Sequence, residues 1–197
     1  MKKLTDRQMQ AISTKLRITQ ISTDLFKNKG FDNVKIQDIC DVAQISTGAF
    51  YHHFKSKNEI IDTGYEQVDL LLKERFNSKT FDSNIEKIIY LLSEGSVLLQ
   101  DLGWIFISDV YKNLISIDGK YTFKSDRFVT VEIKSAIELA IKSNELQSII
   151  SSDTLTETIL RISRGVIFDW CLHKGSYDLK TNMIFDLNLI LSNYKKY

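Results

Sequence analysis

The sequence predicts an all-α protein of about nine helices, and three observations support this prediction. The 197 residues include no proline and only 8 glycines, so long helices can form without interruption. Apolar residues recur at the three-to-four-residue spacing of a helix face through most of the chain, and no convincing β pattern is present. The third observation is a repeated capping box, in which Ser or Thr is followed three positions later by Glu or Gln. It occurs at Thr5–Gln8, Ser56–Glu59, Ser83–Glu86 and Thr154–Glu157.

The first part of the chain predicts three helices, one long and two short. They cover about Asp6–Lys29, Ile36–Ala43 and Thr47–Phe54. Gly30 follows the long helix as a natural C-terminal cap. The short helices are joined by the turn Gln44-Ile45-Ser46 and have the dimensions of a helix-turn-helix. We therefore expect residues 1–56 to form a three-helix head that binds DNA.

Residues 57–197 predict a larger, helical body. Its six helices cover about Lys57–Phe76, Ile85–Ser108, Asp109–Ile117, Asp126–Ser143, Thr154–His173 and Lys180–Lys195. The segment from Ile117 to Ser125 contains Asp118-Gly119 and is predicted to be a loop.

The net charge of +1 conceals an asymmetry between head and body. Residues 1–57 hold ten Lys and Arg against five Asp and Glu, a net charge of +5, whereas residues 58–197 carry −4. Chance can produce such a difference, but a basic first quarter also favours an anionic partner for the head alone.

Nothing in the sequence indicates export or a membrane. The opening MKKLTDRQMQ lacks the apolar run of a signal peptide, and no segment reaches the apolar length of a membrane span. Cys40 and Cys171 lie far apart and are expected to be buried thiols in a reducing compartment. These features predict a cytoplasmic protein.

The second short helix is expected to present one face to DNA. At about 100° per residue, Phe50 and Phe54 point into the head, while His52 points away from it. Ser46 can cap the helix N-terminus, whose free N–H groups attract phosphate. The small residues 47–49 would let this end enter a major groove.

A set of residues spread over about 45 positions resembles one particular family. The set comprises Leu25, Phe26, Gly30, Phe31, Asp38, Ile39, Ala43, Ile45, Ser46, Gly48, Tyr51, His53, Phe54 and Lys57. Together they resemble the tetracycline-repressor (TetR) family of transcription regulators. The later segment Gly165–Trp170, with Gly175 and Asp178-Leu179, resembles the penultimate helix of that family. The resemblance implies a homodimeric repressor that leaves a pseudo-palindromic operator in double-stranded DNA when a small-molecule effector binds the body.

The same resemblance, carried over position by position, assigns roles to residues of the head. Those that fall where bases are read are Gln37, Thr47, Ala49 and His52. Those that fall where phosphates are held or the helix is buttressed are Lys35, Ser46, Tyr51, His53, Lys55 and Lys57. Three positions depart from the family pattern. Lys35 stands where Thr or Ser usually caps the helix, Gln44 replaces a common turn glycine, and Ala49 offers only a methyl group for contact with thymine.

Large apolar residues of the body are candidates for the wall of an effector pocket, although plain core packing also accounts for them. The candidates are Leu99, Leu102, Trp104, Phe106, Tyr111, Phe123, Phe128 and Trp170. The last two helices carry more apolar residues than one buried stripe needs, which predicts packing against a second copy as a four-helix bundle, although core packing within one chain also accounts for them. The interface candidates are Ile159, Ile162, Val166, Ile184, Leu187 and Leu191.

A metal site, an enzyme and an adaptor are the alternatives to a regulator. His52 and His53 diverge by about 100° on a helix, so they are poorly placed to share a metal ion, and no metal or other cofactor is expected. No G-x-S-x-G, H-E-x-x-H, P-loop or Cys/His arrangement indicates an enzyme. The remaining alternative is an adaptor or co-activator of the same fold that acts through a protein partner without a small-molecule ligand.

Overall fold

The computed structural model describes residues 5–116 and 124–196, and within them the protein is all-α, as predicted. Nine helices form in these two ranges: α1 (Asp6–Lys29), α2 (Ile36–Ala43), α3 (Thr47–His53), α4 (Lys57–Asn77), α5 (Asn84–Leu102), α6 (Trp104–Ser116), α7 (Phe128–Lys142), α8 (Ser152–Leu172) and α9 (Leu179–Ser192). The predicted 117–125 loop lies largely outside the described residues. The only extended pairing in the described ranges is a single bridge between Leu146 and Lys195.

Helix α1 begins and ends where its sequence signals predicted. Thr5 Oγ1 accepts a hydrogen bond from the Gln8 N–H at 3.3 Å, and Gln8 Oε1 accepts one from the Thr5 N–H at 2.9 Å. At the other end, Gly30 has a φ of 78°, a region that glycine occupies without steric cost, and its N–H bonds the Phe26 carbonyl at 2.8 Å. The capping box and the glycine therefore fix this helix from both sides.

The predicted boundary between the fifth and sixth helices at Ser108 and Asp109 is wrong. The break lies at Gly103, where a φ of 85° ends α5, and α6 begins at the next residue. The helix axis bends by 106° at this break. No single described helix is both long and apolar enough to span a membrane, and the bent α5–α6 pair alone meets that test by length and composition.

Three of the four predicted capping boxes are modified in the structure, and only the one at Thr5 forms in full. Ser56 makes no side-chain cap, and Glu59 instead accepts a hydrogen bond from the Lys55 N–H at 2.7 Å. Helix α8 is capped by Ser151, whose hydroxyl accepts from the Thr154 N–H at 3.1 Å. The helix therefore starts before Thr154, because the serine three residues upstream offers an equivalent cap.

Head and body share one continuous core. Helix α5 lies at the centre of the body and packs mainly against α7 and α9, while α8 packs on α6, α7 and α9. Helix α1 contacts α2 and α3 of the head and also α4 and α6 of the body. The Phe26 ring of α1 stacks on the Phe106 ring of α6, with 6.0 Å between centroids. The division into residues 1–56 and 57–197 stays a prediction.

One ion pair is buried inside the body. Arg127 donates from Nε to Asp69 Oδ2 at 2.7 Å and from Nη2 to Asp69 Oδ1 at 2.8 Å, and the Asp69 side chain is only 3% exposed. The guanidinium carbon also lies 5.7 Å from the centroid of the Tyr65 ring. Burial raises the pKa of Tyr65 to about 12. The pair joins α4 to the residue that precedes α7.

Candidate nucleic-acid interface and ligand cavities

Helix α3 is anchored by two aromatic residues and exposes its other face. Phe50 and Phe54 are buried in the head, with 5.6 Å between their ring centroids. Thr47, Tyr51 and His52 are exposed, whereas Ala49 is half-buried. The face that the sequence assigned to DNA is therefore the one that the fold leaves open, although Ala49 is less accessible than its neighbours.

The turn before α3 leaves the helix N-terminus open to an anion. Gln44 has a left-handed backbone (φ 54°), the conformation that explains why a glycine suits this position. Ser46 Oγ accepts a hydrogen bond from the Ala49 N–H at 3.1 Å and caps the helix. The remaining N–H groups of the first turn lie beside exposed Ser46 and Thr47, where a phosphate oxygen can reach them.

Helix α2 also leaves its predicted DNA residues exposed. Gln37 is exposed, and its amide donates to Asp41 Oδ1 at 2.6 Å, a contact that orients the amide across one helix turn. Lys35 provides no side-chain cap, but Asp38 reaches back to accept from the Lys35 N–H at 2.7 Å. The exposed Lys35 ammonium group is thus left available for a phosphate.

Lys57 is half-buried, and its ammonium group is bonded to the head. Its ammonium group donates to the Phe31 carbonyl at 2.5 Å and to the Val34 carbonyl at 2.8 Å. It also lies 4.1 Å from the centroid of the Phe31 ring. Burial lowers the pKa of Lys57, with Asp32 and Asp109 acting in the opposite direction. Of the two roles allowed by the family resemblance, these contacts support buttressing.

Replacing Lys57 and Lys55 separately with methionine should distinguish a buttress from a phosphate contact. We expect Lys57→Met to lower the free energy of unfolding by about 1–3 kcal/mol, because two carbonyls lose a charged donor. Lys55 is exposed, so Lys55→Met should leave stability within about 0.5 kcal/mol and weaken DNA binding with a shallower salt dependence. Urea denaturation measures the free energy of unfolding of both variants, and DNA titration measures their affinity. Equal stability of the two variants would contradict a buttressing role for Lys57.

His53 is half-buried beside other cationic groups. Burial lowers its pKa, and His52 and Lys15 lower it further. A histidine with a lowered pKa is mostly neutral at pH 7, so it can donate a hydrogen bond to phosphate but contributes little charge. Lys15 lies 5.2 Å from the Phe54 ring centroid and 3.8 Å from Glu59, which ties α1 to the start of α4.

A body residue holds the turn between α1 and α2, and no pattern in the sequence predicts this contact. Asp109 of α6 is buried, and its Oδ2 accepts a hydrogen bond from the Phe31 N–H at 2.8 Å. Nearby, Lys27 Nζ donates to the Asp101 carbonyl at 2.8 Å. The partners lie more than 70 residues apart in sequence, so no local pattern could reveal them. The turn is thus bonded to α4 by Lys57 and to α6 by Asp109.

A cleft with a volume of about 560 Å³ lies between α1 and α4, with α5 and α6 as its floor. Its size is within the range of roughly 300–1,000 Å³ that is usual for small-molecule sites. Three of the predicted effector-pocket residues line it: Leu99, Leu102 and Phe106.

The other predicted pocket residues lie elsewhere. Tyr111 lines a smaller cavity of about 70 Å³ in the body, together with Arg127. Trp170 is buried and donates its indole N–H to the Tyr177 carbonyl at 3.0 Å. Trp104 and Phe128 line neither cavity, and Phe123 lies outside the described residues. A role for any of them in ligand binding stays a prediction.

The predicted dimer-interface residues lie mostly on the inner face of α8 and α9. Four are buried against helices of the same chain: Ile159, Val166, Leu187 and Leu191. The other two, Ile162 and Ile184, are half-buried. The apolar side chains that these helices expose are Phe168, Leu172, Phe185 and Leu189, each between 46% and 65% exposed. A partner would therefore meet these four rather than the four buried residues.

The described ranges contain no group of three or more His, Cys, Asp or Glu side chains arranged to hold a metal ion. The rings of His52 and His53 are 5.3 Å apart and nearly perpendicular, at 77°. Cys40 and Cys171 are both free and buried.

Comparison with known proteins links both the head and the fold to bacterial regulators. The family model described as "Bacterial regulatory proteins, tetR family" matches residues 18–63. The Transposon Tn10 TetC protein of Escherichia coli is 26% identical over 157 residues, which is 76% of this chain and 72% of that protein. The HTH-type transcriptional repressor KstR2 of Mycolicibacterium smegmatis is 33% identical over 57 residues, 29% of this chain and 28% of KstR2. A TetR-family transcriptional regulator from Pectobacterium atrosepticum shares the fold, with a TM-score of 0.74 at 17% identity over 98% of this chain and 99% of that one.

Proposed function

The chain is a helix-turn-helix transcriptional regulator of the tetR family, and from this premise we propose that it is a homodimeric repressor released from its operator by a small molecule. The exposed face of α3 is the observation that carries the proposal. It presents Thr47, Tyr51 and His52 beside an open helix N-terminus, while Phe50 and Phe54 hold the helix in place. Repression is supported by the likeness of the head to that of KstR2, a repressor.

The residues at this face divide by chemistry into two roles. Gln37, Thr47 and His52 can donate or accept hydrogen bonds at base edges in the major groove. The half-buried Ala49 offers only a methyl group, which suits contact with a thymine methyl. Phosphates would be held by Lys35, Ser46, Tyr51, His53 and Lys55, while Lys57 supports the head. Phosphate contacts supply salt-dependent affinity, and base contacts supply sequence preference.

Selection from a random pool of DNA duplexes tests this function. We expect the purified protein to enrich an inverted repeat whose half-site centres lie about 34–36 Å apart, one DNA turn, as a two-fold dimer requires. Affinity for the selected site should fall steeply as salt concentration rises. If no sequence is enriched and binding stays weak at all salt concentrations, the regulator is not an operator-binding repressor and the adaptor reading gains weight.

Dimerisation is proposed through the exposed apolar face of α8 and α9. Introducing two charges there, Phe185→Glu with Leu189→Glu, should convert the dimer into a monomer of 22.8 kDa, because a buried interface rejects unpaired charges. Ile149→Glu is the matched control, since Ile149 is 61% exposed but lies between α7 and α8. Light scattering measures the mass of each variant. A wild-type monomer, or a control variant that also dissociates, would contradict this assignment.

A further inference from the structure

The 560 Å³ cleft lies where the head meets the body, and its walls come from both. One wall belongs to α1 and includes Leu16 and Gln20. The opposite wall belongs to α4 and includes Val68 and Leu71, while α5 and α6 form an apolar floor. A molecule in this cleft would therefore contact the first helix of the head and the helix that connects the head to the body.

The cleft keeps features that packing alone does not explain. Leu16 and Leu71 remain 39% and 48% exposed at its mouth. Gly64 lies in the wall of α4, and a β-carbon added there would meet no atom within 4 Å. Glycine inside a helix lowers helix stability relative to alanine, and here no close contact requires it. Its missing side chain instead widens the cleft.

The charged groups at the rim of the cleft favour an anion. Arg17 and Lys27 line it, and neither has an ion-pair partner in the described parts of the chain. Asp24 is the one carboxylate in the lining, and both its oxygens accept from the Gln20 amide at 3.3 Å. Two cations against one carboxylate give the rim a net positive charge above an apolar floor.

From these observations we propose that the cleft between α1 and α4 binds an amphipathic organic anion, whose apolar part lies on α5 and α6 and whose negative group meets Arg17. This inference rests on the proposed function, since it makes the cleft the effector site. The Phe26–Phe106 stack and the bond from Lys27 to the Asp101 carbonyl cross the same joint. Suppose that the ligand binds more tightly to a conformation with one distance between α1 and α4 than to a conformation with another. It then shifts the population of head orientations, and the affinity for DNA changes with that population.

The location is tested with the fluorescent anion 1-anilinonaphthalene-8-sulfonate and the full-length protein. We expect wild-type protein to bind one probe molecule per chain. Gly64→Leu should weaken binding at least about tenfold, since the new side chain fills the cleft, while raising the melting temperature through better helix propensity. A variant that loses the probe and gains stability cannot be explained by misfolding.

A pair of adjacent leucines supplies the matched control for position. Leu70 and Leu71 are both exposed on α4, but only Leu71 lines the cleft. Leu71→Gln should weaken probe binding, and Leu70→Gln should leave it unchanged. If both variants bind alike, or if Gly64→Leu binds as wild type does, the probe lies elsewhere and the cleft is not the site.

The charge preference is tested by displacing the probe with three ligands of equal chain length. Decanoate should compete better than decanol, and decyltrimethylammonium should compete worst. Arg17→Gln should remove the advantage of decanoate over decanol. Equal competition by decanoate and decanol in the wild type would overturn the assignment of an anion.

The regulatory part is tested with the DNA selected above. Decanoate at saturation should lower DNA affinity about 5- to 150-fold in the wild type and leave it unchanged in Gly64→Leu. Normal DNA binding with no effect of bound decanoate would overturn the cleft as effector site while the repressor proposal stands. Failure of the ligand-free protein to bind any DNA would instead be a failure of the proposed function.

Discussion

Replacing Thr47 with glutamate should abolish operator binding while leaving the protein folded. Thr47 is the first residue of α3 and is exposed at the face proposed to enter the major groove. A carboxylate there would face DNA phosphates and acceptor atoms of the bases, so we expect the Kd to rise by about 100-fold or more at moderate salt. The same charge interacts favourably with the helix dipole, so the free energy of unfolding should rise by about 0.3–1 kcal/mol.

Thr47→Gln is the matched control, because glutamine has nearly the same size without the charge. It should change sequence preference at one or two base pairs, by about 1–3 kcal/mol, and keep most of the salt-dependent affinity. DNA titrations at several salt concentrations and thermal unfolding separate the two effects. If Thr47→Glu still binds the operator within a few-fold of wild type, α3 does not enter the groove by its N-terminus.

Arg127→Met should be among the most destabilising single substitutions in the body. It leaves the Asp69 carboxylate, only 3% exposed, without the two hydrogen bonds that Arg127 now donates. Removing one member of a buried ion pair costs about 3–5 kcal/mol, since the remaining charge stays out of water. Urea denaturation at pH 7 measures the loss.

The double variant Arg127→Met with Asp69→Leu shows whether pairing or packing is responsible. Replacing both members of a buried pair by apolar groups is often nearly neutral, so the double variant should recover most of the stability that the single variant lost. The coupling follows from the double-mutant cycle. A double variant less stable than Arg127→Met would mean that Asp69 makes favourable contacts of its own, and that an uncompensated buried charge does not explain the loss in the single variant.

The parts of the fold that were predicted well depend on short-range signals. Helix α1 and helix α2 have their predicted ends, and α3 is one residue shorter, because caps such as Ser46 and Gly30 act within a few residues. The α5–α6 break is not predicted, because the apolar periodicity continues past Gly103. Its left-handed conformation depends on the meeting of two helices, which local periodicity does not encode.

The candidate sites likewise contain features that local patterns predict and features that depend on contacts between distant parts of the chain. Amphipathic periodicity correctly separated buried Phe50 and Phe54 from exposed His52. It could not show that Lys57 bonds carbonyls more than 20 residues away. On α8 and α9 it revealed two apolar faces but not which one meets the rest of the chain. Periodicity therefore offers Leu187 as an interface candidate, although Leu187 is buried within the chain and Leu189 is the exposed residue.

The hydrogen bond from the Phe31 N–H to Asp109 has a further consequence for how the protein can be observed. This one backbone proton lies in the head and is shielded by a carboxylate of the body. It can exchange with solvent deuterium only when the joint between them opens, so its exchange rate measures the free energy of that opening. Comparing the exchange rate of this proton with and without DNA would show whether DNA binding changes the free energy needed to separate the head from the body.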